Sequence, residues 1–277
     1  MSLRSPRYID THIHLDQYEP ELAEQLIQSL GKGEAPIEQI VAVSMHLESC
    51  RQIERWSARY PDRILPAYGW HPEQALLPDE ELERLLTWME ARRDQMIAIG
   101  EVGLPYYLRA EAEKQGARFD RQAYIERLTP FVQRAASWNL PIVLHAVYDD
   151  AAIVCDLLEQ YHVKRAHFHW FKGDAKTAAR MAQNGYYISF TPDIVYEHEI
   201  QELACVYPIH QVMTETDGPW PFEGPFTGRV TQPEMVRDVA RTWAKLRGIA
   251  EREAAQLLWD NAHRLYLTHN EKGKHLS

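Results

Sequence analysis

Two histidines spaced by a single residue, in Asp10-Thr11-His12-Ile13-His14, are the first side chains here that could do chemistry. In a strand, residues i and i+2 point to the same face, so both imidazoles can project together. A pair of neutral imidazoles suits zinc, iron or manganese. The second signal is Gly100-Glu101-Val102-Gly103. A carboxylate set between glycines at the end of an apolar run marks a place where backbones pass closely. One such glutamate can bridge two cations through its two oxygens. His145 closes the apolar run Pro141-Ile142-Val143-Leu144, and His169 sits within His167-Phe168-His169-Trp170-Phe171. Asp217, in Thr214-Glu215-Thr216-Asp217-Gly218-Pro219, could ligate a metal, accept a proton from an attacking water, or do both.

Each element has a plainer reading. A short H-x-H arises at strand ends with ordinary hydrogen bonds. Lone histidines such as His145 are often hydrogen-bonded core residues, and an acid between glycines can be a solvated group at a loop mouth. His167 should face the same way as His169, one step deeper, and is expected to fill an interior layer. Glu215 should face the same way as Asp217 and is a candidate to orient a ligand imidazole or the nucleophilic water from behind; its plainer reading is an ion pair.

Position gives the set its force. Short apolar runs at 7–13, 39–44, 64–69, 96–100, 141–145, 165–169, 185–190 and 211–215 read as buried parallel strands. Helical patterns lie between them: Leu82, Leu85, Leu86 and Met89 form one apolar face, and Tyr124, Leu128, Phe131 and Val132 another. Two more helices are expected at 234–247 and 251–259. Eight strands alternating with helices predict an α/β fold, a TIM (β/α)₈ barrel, with a doubly wound sheet as the alternative. His12, His14, His145 and His169 then fall at strand C-termini, and Glu101 and Asp217 just after theirs. In a barrel those ends form one rim around one cavity.

Composition agrees. A chain of 277 residues fits one barrel domain spanning 1–277. No apolar run reaches the roughly 20 residues needed to cross a bilayer, and no signal peptide is legible, so the cytoplasm is expected. Cys50, Cys155 and Cys205 lie far apart in helical stretches, which argues for free thiols over disulfides or a zinc knot. The net charge of −10 counts against tight, non-specific DNA binding. It leaves room for a nuclease whose metal ions supply local positive charge.

Along essentially its whole length the chain resembles the TatD-type metal-dependent hydrolases of the amidohydrolase superfamily. The stretches that carry the resemblance are DTHIHL from Asp10, GWHP from Gly69, GEVGLPYY from Gly100, PIVLH from Pro141, HWFKG from His169, ETDGPW from Glu215, QPEMVRDV from Gln232 and NAHRLY from Asn261. The resemblance implies two divalent metal ions, with zinc, manganese, iron or magnesium all compatible. His12, His14, Glu101 and Asp217 would surround one, and Glu101, His145 and His169 the other. Glu101 would bridge, and His71 would reach toward substrate.

The expected reaction is hydrolysis of a phosphodiester by a hydroxide shared between the metals, in single-stranded or damaged DNA ends. Glu101 and Asp217 would be its catalytic groups. Three departures from the family pattern concern substrate: Pro105 in place of an aspartate, Val147 in place of an arginine, and Phe226-Thr227-Gly228-Arg229 in place of His-Arg-Gly-Lys. Arg229 and Lys172 would then be left to bind phosphate. Bidentate arginine is not replaced by an aliphatic side chain, so a small ester, lactone or amide is the alternative substrate. A metal-loaded scaffold is a third reading that no residue demands. Tyr106, Tyr107, Trp170, Phe171, Trp220, Phe222 and Phe226 fall in rim loops, where they could stack flat groups or simply pack. No membrane association and no obligate protein partner are expected.

Overall fold

Runs too apolar to face water on either side become the strands of a single parallel sheet. A computed structural model describes residues 6–268. In chain order it contains β1 (Tyr8–Ile13), α1 (Pro20–Ser29), β2 (Ile37–Val43), α2 (Leu47–Arg59), β3 (Ile64–Tyr68), α3 (Asp79–Glu90), β4 (Ala98–Gly103), α4 (Tyr106–Lys114) and α5 (Arg121–Trp138). It continues through β5 (Ile142–His145), α6 (Asp149–Gln160), β6 (Ala166–Phe168), α7 (Ala175–Gln183), β7 (Tyr187–Phe190), α8 (His198–Val206), β8 (Val212–Thr214), α9 (Val236–Arg247) and α10 (Glu251–Tyr266). The strands lie in sequence order, each parallel to the next. Apart from Glu38 and Gln39 in β2, every strand residue is buried.

The sheet curls into a nearly closed barrel, and side chains draw β8 and β1 together at the seam. Thr11 Oγ1 donates to the Thr214 carbonyl at 3.0 Å, and Asp217 N to the His12 carbonyl at 2.9 Å. The buried Asp10 carboxylate accepts from both the amide and the hydroxyl of Thr216. Inward-pointing Ile9, Val41, Val43, Leu65, Ala67 and Val143 pack with Trp259, Ala262, Leu265 and Tyr266, so α10 forms the floor of the barrel. A second apolar layer fills the space between strands and surrounding helices. It includes the two anticipated faces, on α3 and α5.

Two boundaries differ in ways that matter. β4 does not stop before Glu101: pairing of Val102 with Leu144 and Gly103 with His145 carries it past the carboxylate. The last helix, expected over 251–259, continues to Tyr266. Asn261 is buried there, with its Nδ2 donating to the carbonyls of Ile209 at 2.8 Å and Val212 at 2.7 Å. Asp260 and Asn261, just past the expected end, are thus interior to the helix.

Candidate metal centre

The barrel rim gathers His12, His14, His71, Glu101, His145, His169 and Asp217. Close backbone approach is built in by the glycines flanking Glu101. A Cβ at Gly100 would stand 2.6 Å from Val143 Cβ, and one at Gly103 only 1.9 Å from the His145 carbonyl oxygen. β4 and β5 can therefore press together only there, which sets Glu101 against His145. Asp217 lies in the left-handed region at φ 51°, as does Trp170 at φ 36° just beyond His169. Such conformations are costly for residues other than glycine and collect at functional sites.

The two oxygens of Glu101 face different partners. Oε2 lies 3.1 Å from both His12 Nε2 and His14 Nε2, which are in turn 3.3 Å and 3.4 Å from Asp217 Oδ1. Oε1 lies 2.7 Å from His169 Nε2, 3.0 Å from His145 Nδ1 and 3.5 Å from His71 Nε2. Atoms bound to one cation at 2.0–2.2 Å sit roughly 3.0–3.4 Å from each other, which matches most of these separations. His12 Nε2, Glu101 Oε2 and Asp217 Oδ1 are buried and make no hydrogen bond, although they crowd together. Buried polar atoms left unpaired are costly. A cation at the point they share would satisfy all three. Two sets of atoms could thus each hold an ion, His12–His14–Asp217 and Glu101–His145–His169, with Glu101 facing both.

The electrostatics run the same way. Burial opposes charge on Glu101, yet His169, His71 and His12 hold its carboxyl well below the ordinary range. Burial and His169 oppose a proton on His12, but Glu101 and Asp217 push it up to about 9. Burial similarly opposes a proton on His169, and Glu101 and Glu215 outweigh it. Protons are thus drawn onto the nitrogens where cations would compete for the same place. His71 differs: burial lowers it to about 3, so its ring is neutral. The Glu73 amide donates to His71 Nδ1 at 3.2 Å, leaving Nε2 to carry the proton and point at the cluster.

The other expected residues find unequal surroundings. Glu215 accepts from the Trp170 amide at 2.7 Å and lies 3.6 Å from His169 Nδ1. Lys172 is paired with the buried Asp193 at 3.5 Å and lies over the Trp170 ring. Arg229 is exposed, its guanidinium over the Phe226 ring 5.5 Å from the centroid, and pairs with no acid among the described residues. The aromatic set divides: Phe171, Phe222 and Phe226 are buried, whereas Tyr107 is 50% and Trp220 57% exposed. His167 stands one layer deeper, fully buried.

Sequence reasoning missed Glu73. Its carboxylate accepts from the amides of Tyr107 at 2.8 Å and Leu108 at 2.7 Å, capping α4, and lies 3.2 Å from His145 Nε2. One side chain thereby ties the loop after β3 to the helix after β4 and the histidine ending β5. The only signal was an acid two residues past His71, which loops commonly carry. Asp193, which accepts from Trp170 Nε1 and holds Lys172, was missed for the same reason.

A family model described as TatD related DNase matches residues 9–267. An uncharacterized metal-dependent hydrolase of Haemophilus influenzae is 37% identical over 215 residues, covering 78% of this chain and 82% of that protein. Deoxyribonuclease TATDN3 of Homo sapiens is 28% identical over 266 residues, covering 93% and 94%. In three dimensions, the crystal structure of YJJV, a TatD homolog from Escherichia coli K12, superposes with a TM-score of 0.81 at 25% identity, over 96% of this chain and 99% of that one.

Proposed function

Because the chain belongs to the TatD-related DNase family and is a metal-dependent hydrolase, we propose that it cleaves phosphodiester bonds at single-stranded or damaged DNA ends. The observation that carries this reading is the division of Glu101, one oxygen toward His12, His14 and Asp217 and the other toward His145 and His169. Two divalent ions held there would supply a hydroxide at neutral pH and neutralise charge developing on the phosphoryl group. Each remaining step falls to the chain itself. Asp217 orients the attacking water and accepts its proton. His71 donates a hydrogen bond from its Nε2–H to the phosphoryl oxygen that gains charge. Glu73 holds His145 from its far nitrogen, as carboxylates commonly do for metal-ligating histidines. Tyr107, whose ring lies 6.1 Å from that of His145, and Trp220, three residues past Asp217, offer exposed faces to unpaired bases. The name of the human relative, a deoxyribonuclease, supports the same substrate. Lys172 and Arg229 complete the proposed phosphate contacts, the whole chain acting as one catalytic domain in the cytoplasm.

One observation favours a second reading. Lys172 is already paired with Asp193, and Glu73 places an acid at the mouth, so an uncharged ester, lactone or amide would meet less repulsion than a phosphate chain. Manganese-loaded protein and end-labelled single-stranded DNA separate the two. The phosphodiesterase reading expects cleavage that falls by about 10²–10⁴-fold in Asp217→Ala. Intact DNA after incubation with demonstrably metal-loaded protein would reject it in favour of carboxylic substrates.

A further inference from the structure

Below the candidate metal centre the barrel interior is not wholly apolar. Tyr266 on the floor helix α10, His167 on β6, Ser189 on β7 and Glu215 just past β8 form an unbroken line. The Tyr266 hydroxyl lies 2.6 Å from His167 Nδ1, and His167 Nε2 lies 2.6 Å from Ser189 Oγ. Ser189 Oγ donates to Glu215 Oε2 at 2.6 Å. All four side chains are buried. At the upper end, Glu215 Oε1 accepts from the Trp170 amide at 2.7 Å and lies 3.6 Å from His169 Nδ1.

Donor and acceptor counting gives the line a direction. Ser189 has one hydroxyl proton, and it is donated to Glu215 Oε2. Ser189 Oγ must then accept from His167, which puts a proton on Nε2. A neutral imidazole has one donor and one acceptor, so Nδ1 is left to accept the Tyr266 O–H. All three protons point from floor to rim. Barrel layers are ordinarily filled by branched aliphatic residues, which would occupy this space without any polar group to satisfy. A buried polar line is worth its desolvation only when every member is satisfied, and then it rigidifies what it touches.

We infer that Tyr266, His167 and Ser189 are positioning residues, a one-way hydrogen-bond line that fixes Glu215 so that its Oε1, anchored by the Trp170 amide, faces His169 Nδ1 at 3.6 Å and keeps His169 Nε2 turned toward Glu101. The inference rests on the proposed role of His169 as a metal ligand. It places the effect at one ion position, the one shared by Glu101, His145 and His169, and not at the one shared by His12, His14 and Asp217.

Zinc titration of metal-free wild type, Ser189→Ala and Tyr266→Phe against a chromophoric chelator tests this. Nitrogen-15 spectra of metal-free wild type would report the His167 tautomer alongside. The wild type should bind in two events. Ser189→Ala should weaken one by about 10–100-fold and leave the other within about twofold. Tyr266→Phe, which removes one hydroxyl and keeps the ring, should weaken the same event by about 2–10-fold, the worth of one hydrogen bond. The His167 proton should reside on Nε2. Two wild-type events that neither variant changes, or that both variants weaken equally, would overturn the inference, as would a proton on Nδ1. A wild type that binds no zinc would overturn the metal centre itself. If Ser189→Ala fails to fold, Tyr266→Phe and the wild-type tautomer still decide.

Discussion

At the scale of single residues, the side chains that meet at the rim were legible because their chemistry is narrow and their spacing periodic. His12 and His14 sit two apart at a strand end, and the fold brings both against Glu101 Oε2. Glu73 and Asp193 were not legible, since a carboxylate in a loop announces no partner until the loop is placed. The aromatic residues could not be sorted either, because packing and display use the same side chains. The structure separates them by exposure, and Trp220 is the most exposed of the rim aromatics at 57%. If it stacks a base, Trp220→Ala should raise KM for single-stranded DNA by about 5–160-fold, as expected from about 1–3 kcal/mol of stacking. Turnover of a nitrophenyl phosphodiester with no base should be unaffected. Equal losses on both substrates would instead point to disturbance of the metal site through neighbouring Asp217.

At the scale of elements, the decisive contact is between β4 and β5. Gly103→Ala would drive a methyl group into the His145 carbonyl oxygen, at 1.9 Å in the present backbone. The strands must part, carrying Glu101 away from His145. Metal content should then fall together with thermal stability, both readable from one preparation by elemental analysis and calorimetry. A Gly103→Ala protein with full metal content and unchanged melting would refute the close-approach account. The order of elements was readable because strands buried on both faces leave unbroken apolar runs, and helices leave a face at i, i+3, i+4 and i+7 such as that of α3. Boundaries failed where tertiary structure buries a polar residue. Glu101 and Asn261 both lie just past the expected ends of their elements, and in the structure both are held inside by partners distant in sequence.

At the scale of the whole molecule, the barrel makes residues from six strand ends meet at one point, with imidazoles and carboxylates crowded out of water. This arrangement couples stability to pH and to metal. His12 has its proton affinity raised from 6.5 to about 9 in the folded, metal-free chain. Its stabilising contact with Glu101 and Asp217 is therefore full below about pH 6.5 and is lost as pH rises through about 9. A cation bound as proposed would replace that proton, so the Tm gap between metal-loaded and chelated protein should widen from pH 6.5 to pH 9. A gap that narrows over this range would contradict the coupling. Glu101, on this proposal, bridges two ions, and metal-edge anomalous diffraction of wild type beside elemental analysis of Glu101→Ala decides whether it does. Two peaks about 3.5–4 Å apart are expected on either side of the Glu101 carboxylate, with bound metal largely lost in the variant. A single peak away from Glu101, or full occupancy in Glu101→Ala, would contradict it.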